Sequence, residues 1–181
     1  MNKNKISVLG GGSWGTVLAY LASLNGNEVT LWMRDEEVAE EINNTNINSR
    51  YLPNLTLGSN LTATSEMADI CDSGIIIFCI PSDAFREVSN LASNYVKEES
   101  FLVTATKGVE KDGFSLMSNI LADYFPRNAI GVLSGPNLAE EIASKHLSGT
   151  VIASENKILV QTIIEAVSYT HLRAHETSLH I

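Results

Sequence analysis

Short apolar runs alternate with longer stretches of helical spacing over roughly the first 165 residues, the pattern of β-α-β units that build a parallel sheet. The first run, residues 6–9, is too short for a helix and stops at three glycines, after which Trp14, Val17, Leu18, Leu21 and Leu24 recur every three or four positions. Gly26, after Asn25, is placed to cap that helix at its C-terminus. Residues 28–32 alternate as a second strand, and Asp35 is positioned to cap a helix through about residue 43 whose Glu36, Glu37, Glu40 and Glu41 mark a solvated face. Residues 44–60 carry neither period and read as an excursion from the sheet, leading to a small strand at 61–64 with Ser65 capping a short helix.

Residues 74–80 form the most apolar run of the chain, as expected of a central parallel strand covered on both faces. Pro81-Ser82 ends it, and a helix over 83–95 follows. Residues 101–104 give another strand, ending at Ala105-Thr106-Lys107-Gly108, and Leu116, Ile120, Leu121 and Tyr124 make the next helical face. The cycle repeats with a strand at 130–133, a helix opened by Ser134-Gly135-Pro136-Asn137 and running through Ile142, a strand at 150–153 and a helix at 157–167. The fold class that follows is α/β, a Rossmann-type doubly wound and mostly parallel sheet.

From Ser168 the character changes. Ser168-Tyr169-Thr170-His171-Leu172-Arg173-Ala174-His175-Glu176-Thr177 holds two of the four histidines, with a third at His180, and the string resembles translated adapter or vector read-through. The expected organisation is therefore a nucleotide-binding domain over 1–167 and a non-native tail over 168–181. His171 and His175 have the spacing of a metal-binding helix, but nothing elsewhere supplies a matching third ligand, so no metal is expected.

Composition narrows the class. With 44% hydrophobic and 18% charged residues, 181 in all, the chain suits one domain burying about 70% of its unfolded surface. The net charge of -9, from 12 Lys+Arg against 21 Asp+Glu, repels a phosphate backbone and argues against nucleic acid, so any phosphate site must be local. The N-terminus lacks the apolar stretch of a signal peptide, no window approaches a membrane span, and Cys71 and Cys79 read as reduced core residues of a cytoplasmic protein.

Gly10-Gly11-Gly12-Ser13-Trp14-Gly15 fits G-x-G-x-x-G between a strand and a helix, the context a dinucleotide fingerprint requires. Gly10 permits the tight turn, Gly12 lets backbone approach a pyrophosphate, and Gly15 lets helix and strand pack closely. The helix N-terminus then offers free N–H groups and the positive end of a dipole. At the end of the second strand an acid favours the ribose 2′-hydroxyl of NAD and an arginine the 2′-phosphate of NADP. Arg34 comes first there and Asp35 follows, which tilts the reading to NADP, although the two could also form an ordinary surface pair. Lys107 sits where a parallel strand ends, the ligand-facing edge of such sheets, a position that a solvated loop lysine would equally occupy.

Taken in order, Gly10-Gly11-Gly12-Ser13-Trp14-Gly15-Thr16, Leu31-Trp32-Met33-Arg34, Tyr51-Leu52-Pro53-Asn54, Pro81-Ser82, Ala105-Thr106-Lys107-Gly108 and Ser134-Gly135-Pro136-Asn137-Leu138-Ala139-Glu140-Glu141 resemble bacterial NAD(P)-dependent glycerol-3-phosphate dehydrogenase, from residue 6 to about 167. The resemblance implies that Ser13, Trp14, Arg34 and Ala139, with Tyr51 and Phe85, touch the dinucleotide and that Lys107 lies near both cofactor and substrate. It implies further that Gly135 and Asn137 help hold sn-glycerol 3-phosphate; many members carry Ser or Thr where Asn137 stands, and an amide still donates and accepts. The implied reaction is reversible hydride transfer between NAD(P)H and dihydroxyacetone phosphate, serving glycerophospholipid synthesis, in a parent that forms a homodimer. The family continues into a helical domain carrying its acid/base lysine and a phosphate-binding Arg-Asn pair, so the expectation is that no catalytic residue lies in this chain, which by itself is nearly inactive. The competing readings are a ketopantoate reductase or another two-domain dehydrogenase, and a non-catalytic dinucleotide-binding module.

Overall fold

A computed structural model of the chain describes residues 4–111, 113–136, 138–144, 146–168 and 172–177. The first half runs β1 (Lys5–Leu9), α1 (Ser13–Leu24), β2 (Glu28–Trp32), α2 (Glu36–Thr45), a hairpin of β3 (Ile47–Asn48) and β4 (Leu52–Thr56), β5 (Leu61–Thr64), a 3-10 turn (Met67–Ile70) and β6 (Ile75–Phe78). It continues with α3 (Phe85–Ala92), β7 (Phe101–Thr104), α4 (Met117–Tyr124), β8 (Ile130–Ser134), α5 (Ala139–Ala143), β9 (Ser148–Ala153), α6 (Lys157–Val167) and β10 (Leu172–Thr177). Eight strands form one sheet in the order β10-β9-β8-β7-β6-β1-β2-β5. All neighbours are parallel except β8 and β9, which run antiparallel with Leu133 opposite Ile152. This is the doubly wound Rossmann-type architecture: the chain winds outward from β1 through β2 to β5, then returns to the other side of β1 with β6.

Strand β6 shows why the sheet is a middle layer. Its four residues are buried; Ile75 and Ile77 belong to the core shared with α1, α2 and α6, while Ile76 and Phe78 belong to the core shared with α3 and α4. The two-residue period of a strand sends alternate side chains to opposite faces, so a continuous apolar run is what a strand covered on both sides needs. On the first face Val17, Leu18 and Leu21 of α1 and Leu159 and Ile163 of α6 complete the packing; on the second, Phe85 stacks on Phe78 at 5.6 Å between ring centroids. At the free edge of β5 the side-chain amide of Asn43 donates to the Ala63 carbonyl and accepts from its N–H, both at 2.8 Å. That amide satisfies the backbone groups a further strand would have paired.

Several boundaries differ from the sequence reading. The featureless stretch after α2 holds the antiparallel β3–β4 pair, with a register shift between Ile47 and Asn48; two residues are too few to show a period. Ser65 caps nothing: Glu66 precedes a short 3-10 turn and no side chain bonds its end. Residues 81–84 form a turn, with Ala84 N–H donating to Pro81 O at 3.1 Å, so α3 starts at Phe85 rather than at 83. Pro136 lies before the first position of α5, which opens at Ala139 after Leu138. Cys71 is exposed rather than in the core, and Cys79 is half-buried; both are free.

Six residues of the stretch set aside as a tail pair in parallel with β9, Leu172 opposite Ser148, with Leu172 buried. Pairing at a sheet edge fixes where those residues lie and says nothing of their origin. His171 and His180 lie outside the described residues. Among the described residues no helix is long and apolar enough to cross a membrane.

Candidate dinucleotide-binding site

The winding reverses at β1, so the carboxyl ends of β1 and β6 border the crevice where doubly wound sheets hold ligands. The glycine turn sits there, and its three fingerprint glycines have three different causes. Gly10 has φ +122°, donates its N–H to Trp32 O at 2.9 Å, and would place a Cβ 2.4 Å from Cys79 O. A Cβ on Gly15 would lie 1.9 Å from Gly10 O. These two are demanded by the fold. Gly12 has φ -72° and ψ 178°, which any residue adopts, and a Cβ there would meet nothing within 4 Å. Among the described residues nothing requires glycine at that point, whereas a ligand lying against the backbone would.

The end of α1 supports the same fit. The first N–H groups of a helix have no intrahelical acceptor, and α2 and α6 meet that need with their own side chains: Asp35 accepts from Val38 N, and Asn156 from Ile158 and Leu159 N. At α1 the N-cap is Gly12, no side chain caps it, and no acid occupies the first turn. The positive end of that helix is left to an anion. Ser13 and Trp14 open the helix half-buried, Trp14 against the first core. Behind the turn the buried Asn48 of the hairpin donates to Gly11 O at 3.0 Å and to Thr16 Oγ1 at 2.9 Å, tying β3 to the glycine loop.

Beyond β2, Arg34 and Asp35 do not pair with each other. Arg34 bonds Glu87 of α3 at 3.1 Å, and Asp35, besides capping α2, meets Arg50 at 3.3 Å. The guanidinium of Arg50 also lies 5.6 Å from the centre of the Tyr51 ring, which is exposed at the tip of the hairpin. A cleft of about 470 Å³ opens here, lined by Trp32, Arg34, Glu87, Leu91 and Asn94 among others. Another cleft lies at the opposite edge, where β1 and β2 begin, with Glu28, Asp69 and Asp72 beside Lys5; its acids make it a poor phosphate site.

The loops after β6, β7 and β8 border the same crevice. Thr106 Oγ1 donates to Ile80 O at 2.8 Å and so joins the ends of β6 and β7; the next residue, Lys107, is exposed. Three residues on, Glu110 accepts from Arg86 of α3 at 2.6 and 3.0 Å, and the guanidinium holds the Glu110 carboxyl below the usual range. Burial pushes the Cys79 thiol up, so under the glycine turn it is a neutral packing group rather than a nucleophile. Phe85 is fully buried as part of the second core, so in this arrangement only its backbone can face a cofactor. Gly135 follows β8, half-buried; Asn137 lies outside the described residues; Ala139 is the first residue of α5, which packs on α1.

The description "NAD-dependent glycerol-3-phosphate dehydrogenase N-terminus" matches residues 5–160. The chain belongs to that family. Glycerol-3-phosphate dehydrogenase [NAD(P)+] of Alcanivorax borkumensis is 43% identical over 175 residues, 96% of this chain and 51% of the relative; that of Acinetobacter baumannii is 48% identical over 164 residues, 90% and 46%. The crystal structure of the Coxiella burnetii glycerol-3-phosphate dehydrogenase superposes with a TM-score of 0.91 at 30% identity, covering 97% of this chain and 54% of that one. The chain thus spans about half the length of the curated relatives it matches.

Within this glycerol-3-phosphate dehydrogenase family fold, the structure brings the glycine turn, Arg34 and Lys107 to one edge of the sheet and adds residues that periodicity did not single out. Asn48 lies in a stretch without period, and Arg50 gains its role only through the turn that sets it by Asp35. Glu87 meets Arg34 from 53 residues away. A signal for Glu87 existed in hindsight, an acid in the first turn of the helix after the most apolar strand, but any solvated helix face would look the same.

Proposed function

We propose that this chain is the cofactor-binding part of an enzyme that reversibly transfers a hydride between NAD(P)H and dihydroxyacetone phosphate, giving sn-glycerol 3-phosphate. The observation that carries the reading is Gly12, a glycine that no contact or torsion of the chain explains, at the uncapped start of α1. The free N–H groups of Ser13 and Trp14 would hold the pyrophosphate, with Gly10, Gly12 and Gly15 shaping the turn. Arg34 would meet the adenosine ribose, Tyr51 and Ala139 would flank the dinucleotide, and Phe85 would contribute backbone. When bound, the nicotinamide supplies or accepts the hydride. Lys107, at the ligand-facing edge, would add positive charge next to the alkoxide that develops on the substrate, and Gly135 and Asn137 would help seat its phosphate.

NADP is the preferred dinucleotide in this reading. The carboxylate of Asp35 caps α2 through Val38 N and meets Arg50, while Arg34 is held only by an exposed contact to Glu87 and would turn to a 2′-phosphate. Residues 168–181 are read as lying outside the cofactor unit because the family match ends at 160, although residues 172–177 extend the same sheet beside β9.

Titration of NADPH and NADH into the purified chain, followed by quenching of the emission of Trp14 and Trp32, tests the cofactor half. Saturable binding of both, tighter for NADPH, is expected; no binding of either refutes it. Joining residues 1–167 to the remaining half of the Alcanivorax borkumensis relative and assaying carbonyl substrates tests the chemistry. Turnover of dihydroxyacetone phosphate is expected, and a hybrid that reduces only a keto acid without phosphate refutes the substrate.

A further inference from the structure

Arg34 and Glu87 face each other across the cleft beyond β2, 3.1 Å apart, on elements that nothing else requires to be linked by charge. Both side chains are more exposed than not, 58% and 76%, so the contact is a weak, breakable one. The acid beside Arg34 in sequence is otherwise engaged: Asp35 caps α2 and pairs with Arg50. The carboxylate that shares Arg34 with any ligand in this cleft is therefore Glu87, delivered by the helix that follows β6.

We propose that Glu87 is a specificity-determining residue, a negative selector that lowers the preference for the 2′-phosphorylated dinucleotide and lets one site serve both cofactors. The inference rests on the reading of this edge as a dinucleotide site. A ligand with a phosphate on the ribose must draw Arg34 away from Glu87 and leave that carboxylate beside a dianion. A ligand with a hydroxyl there leaves the ion pair intact, and the hydroxyl can donate to the carboxylate. Specificity is a difference between two affinities, and a repulsive element against one ligand sets it as effectively as an attractive element toward the other. Arg34 supplies the attraction and Glu87 the repulsion. The other charges nearby, Asp35 and Arg50, are paired with each other and nearly cancel.

The test is calorimetric titration of NADP+ and NAD+ into the chain and its Glu87→Gln and Glu87→Lys variants, at low and high salt. For charges a few ångströms apart at a solvated surface, Glu87→Gln should tighten NADP+ binding roughly three- to ten-fold. NAD+ binding should stay within about two-fold, Glu87→Lys should extend the shift, and the NADP+ gain should shrink in high salt. With Arg34→Gln in the same chain, the gain should fall, because the freed arginine is what the phosphate takes. Thermal unfolding of Glu87→Gln should match the parent, since a merely structural role for this exposed pair would move stability and both affinities together. An unchanged ratio, or equal shifts for both dinucleotides, overturns the proposal while leaving the site reading intact. Failure of the unsubstituted chain to bind either dinucleotide overturns the site reading and the proposal with it.

Discussion

Replacing Gly12 and Gly15 by alanine, one at a time, separates what the glycine turn does for the fold from what it does for a ligand. The Gly15 Cβ would sit 1.9 Å from Gly10 O, about 1.5 Å short of ordinary contact. The obstacle is backbone, so α1 or the β1 turn must move, which costs about 1–3 kcal/mol or more. At roughly 2–4 °C per kcal/mol for a chain of this size, the melting temperature should fall by about 2–12 °C. At Gly12 the same methyl meets nothing within 4 Å and φ is -72°. Reduced freedom of the unfolded chain stabilises by about 0.4–1 kcal/mol, and a poorer N-cap takes back a similar amount. The net change should be under about 1 kcal/mol, with the melting temperature within about 4 °C of the parent. Dinucleotide binding should nevertheless weaken by at least about ten-fold, or 1.4 kcal/mol, because the methyl occupies space that a pyrophosphate needs. Scanning calorimetry and isothermal titration of NADPH on the two variants read both quantities. Parent-like binding by Gly12→Ala, or destabilisation equal to that of Gly15→Ala, would refute the assignment of Gly12 to a ligand.

Ile76→Ala empties a fully buried position under α3 and α4 and should cost about 2–5 kcal/mol in urea unfolding; a loss below 1 kcal/mol would show that this face is not packed. In the folded chain at pH 8 a thiol reagent should label Cys71 and spare Cys79, which yields only on denaturation. The folded state keeps Cys79 protonated, whereas the unfolded chain loses that proton near its ordinary value of 9.0. Stability is therefore complete below that pH and falls as pH rises beyond it, and Cys79→Ala should flatten the decline measured between pH 8 and 10. Arg86→Ala removes the clamp on Glu110 and should raise amide exchange in the loop that carries Lys107 while leaving β6 protected; unchanged exchange there would mean that the loop is held by other contacts.

The layered core was legible because burial on both faces leaves a strong trace: the six apolar residues between Gly74 and Pro81, four of them in β6, have few alternatives to a central strand. The Asp35 cap was legible for a local reason, since its acceptor and the Val38 donor are three residues apart. What could not be read depends on tertiary closure. The β3–β4 pair has two residues on its shorter side, below the length at which alternation means anything. Asn48 becomes a tether of the glycine loop only when that hairpin folds back over α1. The nominal Arg34–Asp35 pair failed because each charge found a better-placed partner, in Glu87 and Arg50, on elements distant in sequence. Phe85, read from the sequence as a cofactor contact, has its ring buried in the second core, a direction that the sequence does not show.

The uncapped start of α1 joins these levels. Asp35 and Asn156 show that this chain places Asx residues at helix starts when a cap serves the fold, and such a cap contributes about 1 kcal/mol over alanine. At α1, the longest helix described and the one beside the switch point of the sheet, the cap position holds a glycine that packs against nothing, giving up only roughly a few tenths of a kcal/mol relative to such a residue. An aspartate there would satisfy the helix internally and set a carboxylate where the proposed pyrophosphate would lie, answering the positive end of the helix before any ligand arrived. Glycine at that point leaves the positive end of the helix without a charge of the chain's own, the condition that the proposed anion site needs. Helices α3, α4 and α5 also start without a side-chain cap, so what sets α1 apart is the pairing of a bare start with a glycine that no contact or torsion of the described residues requires.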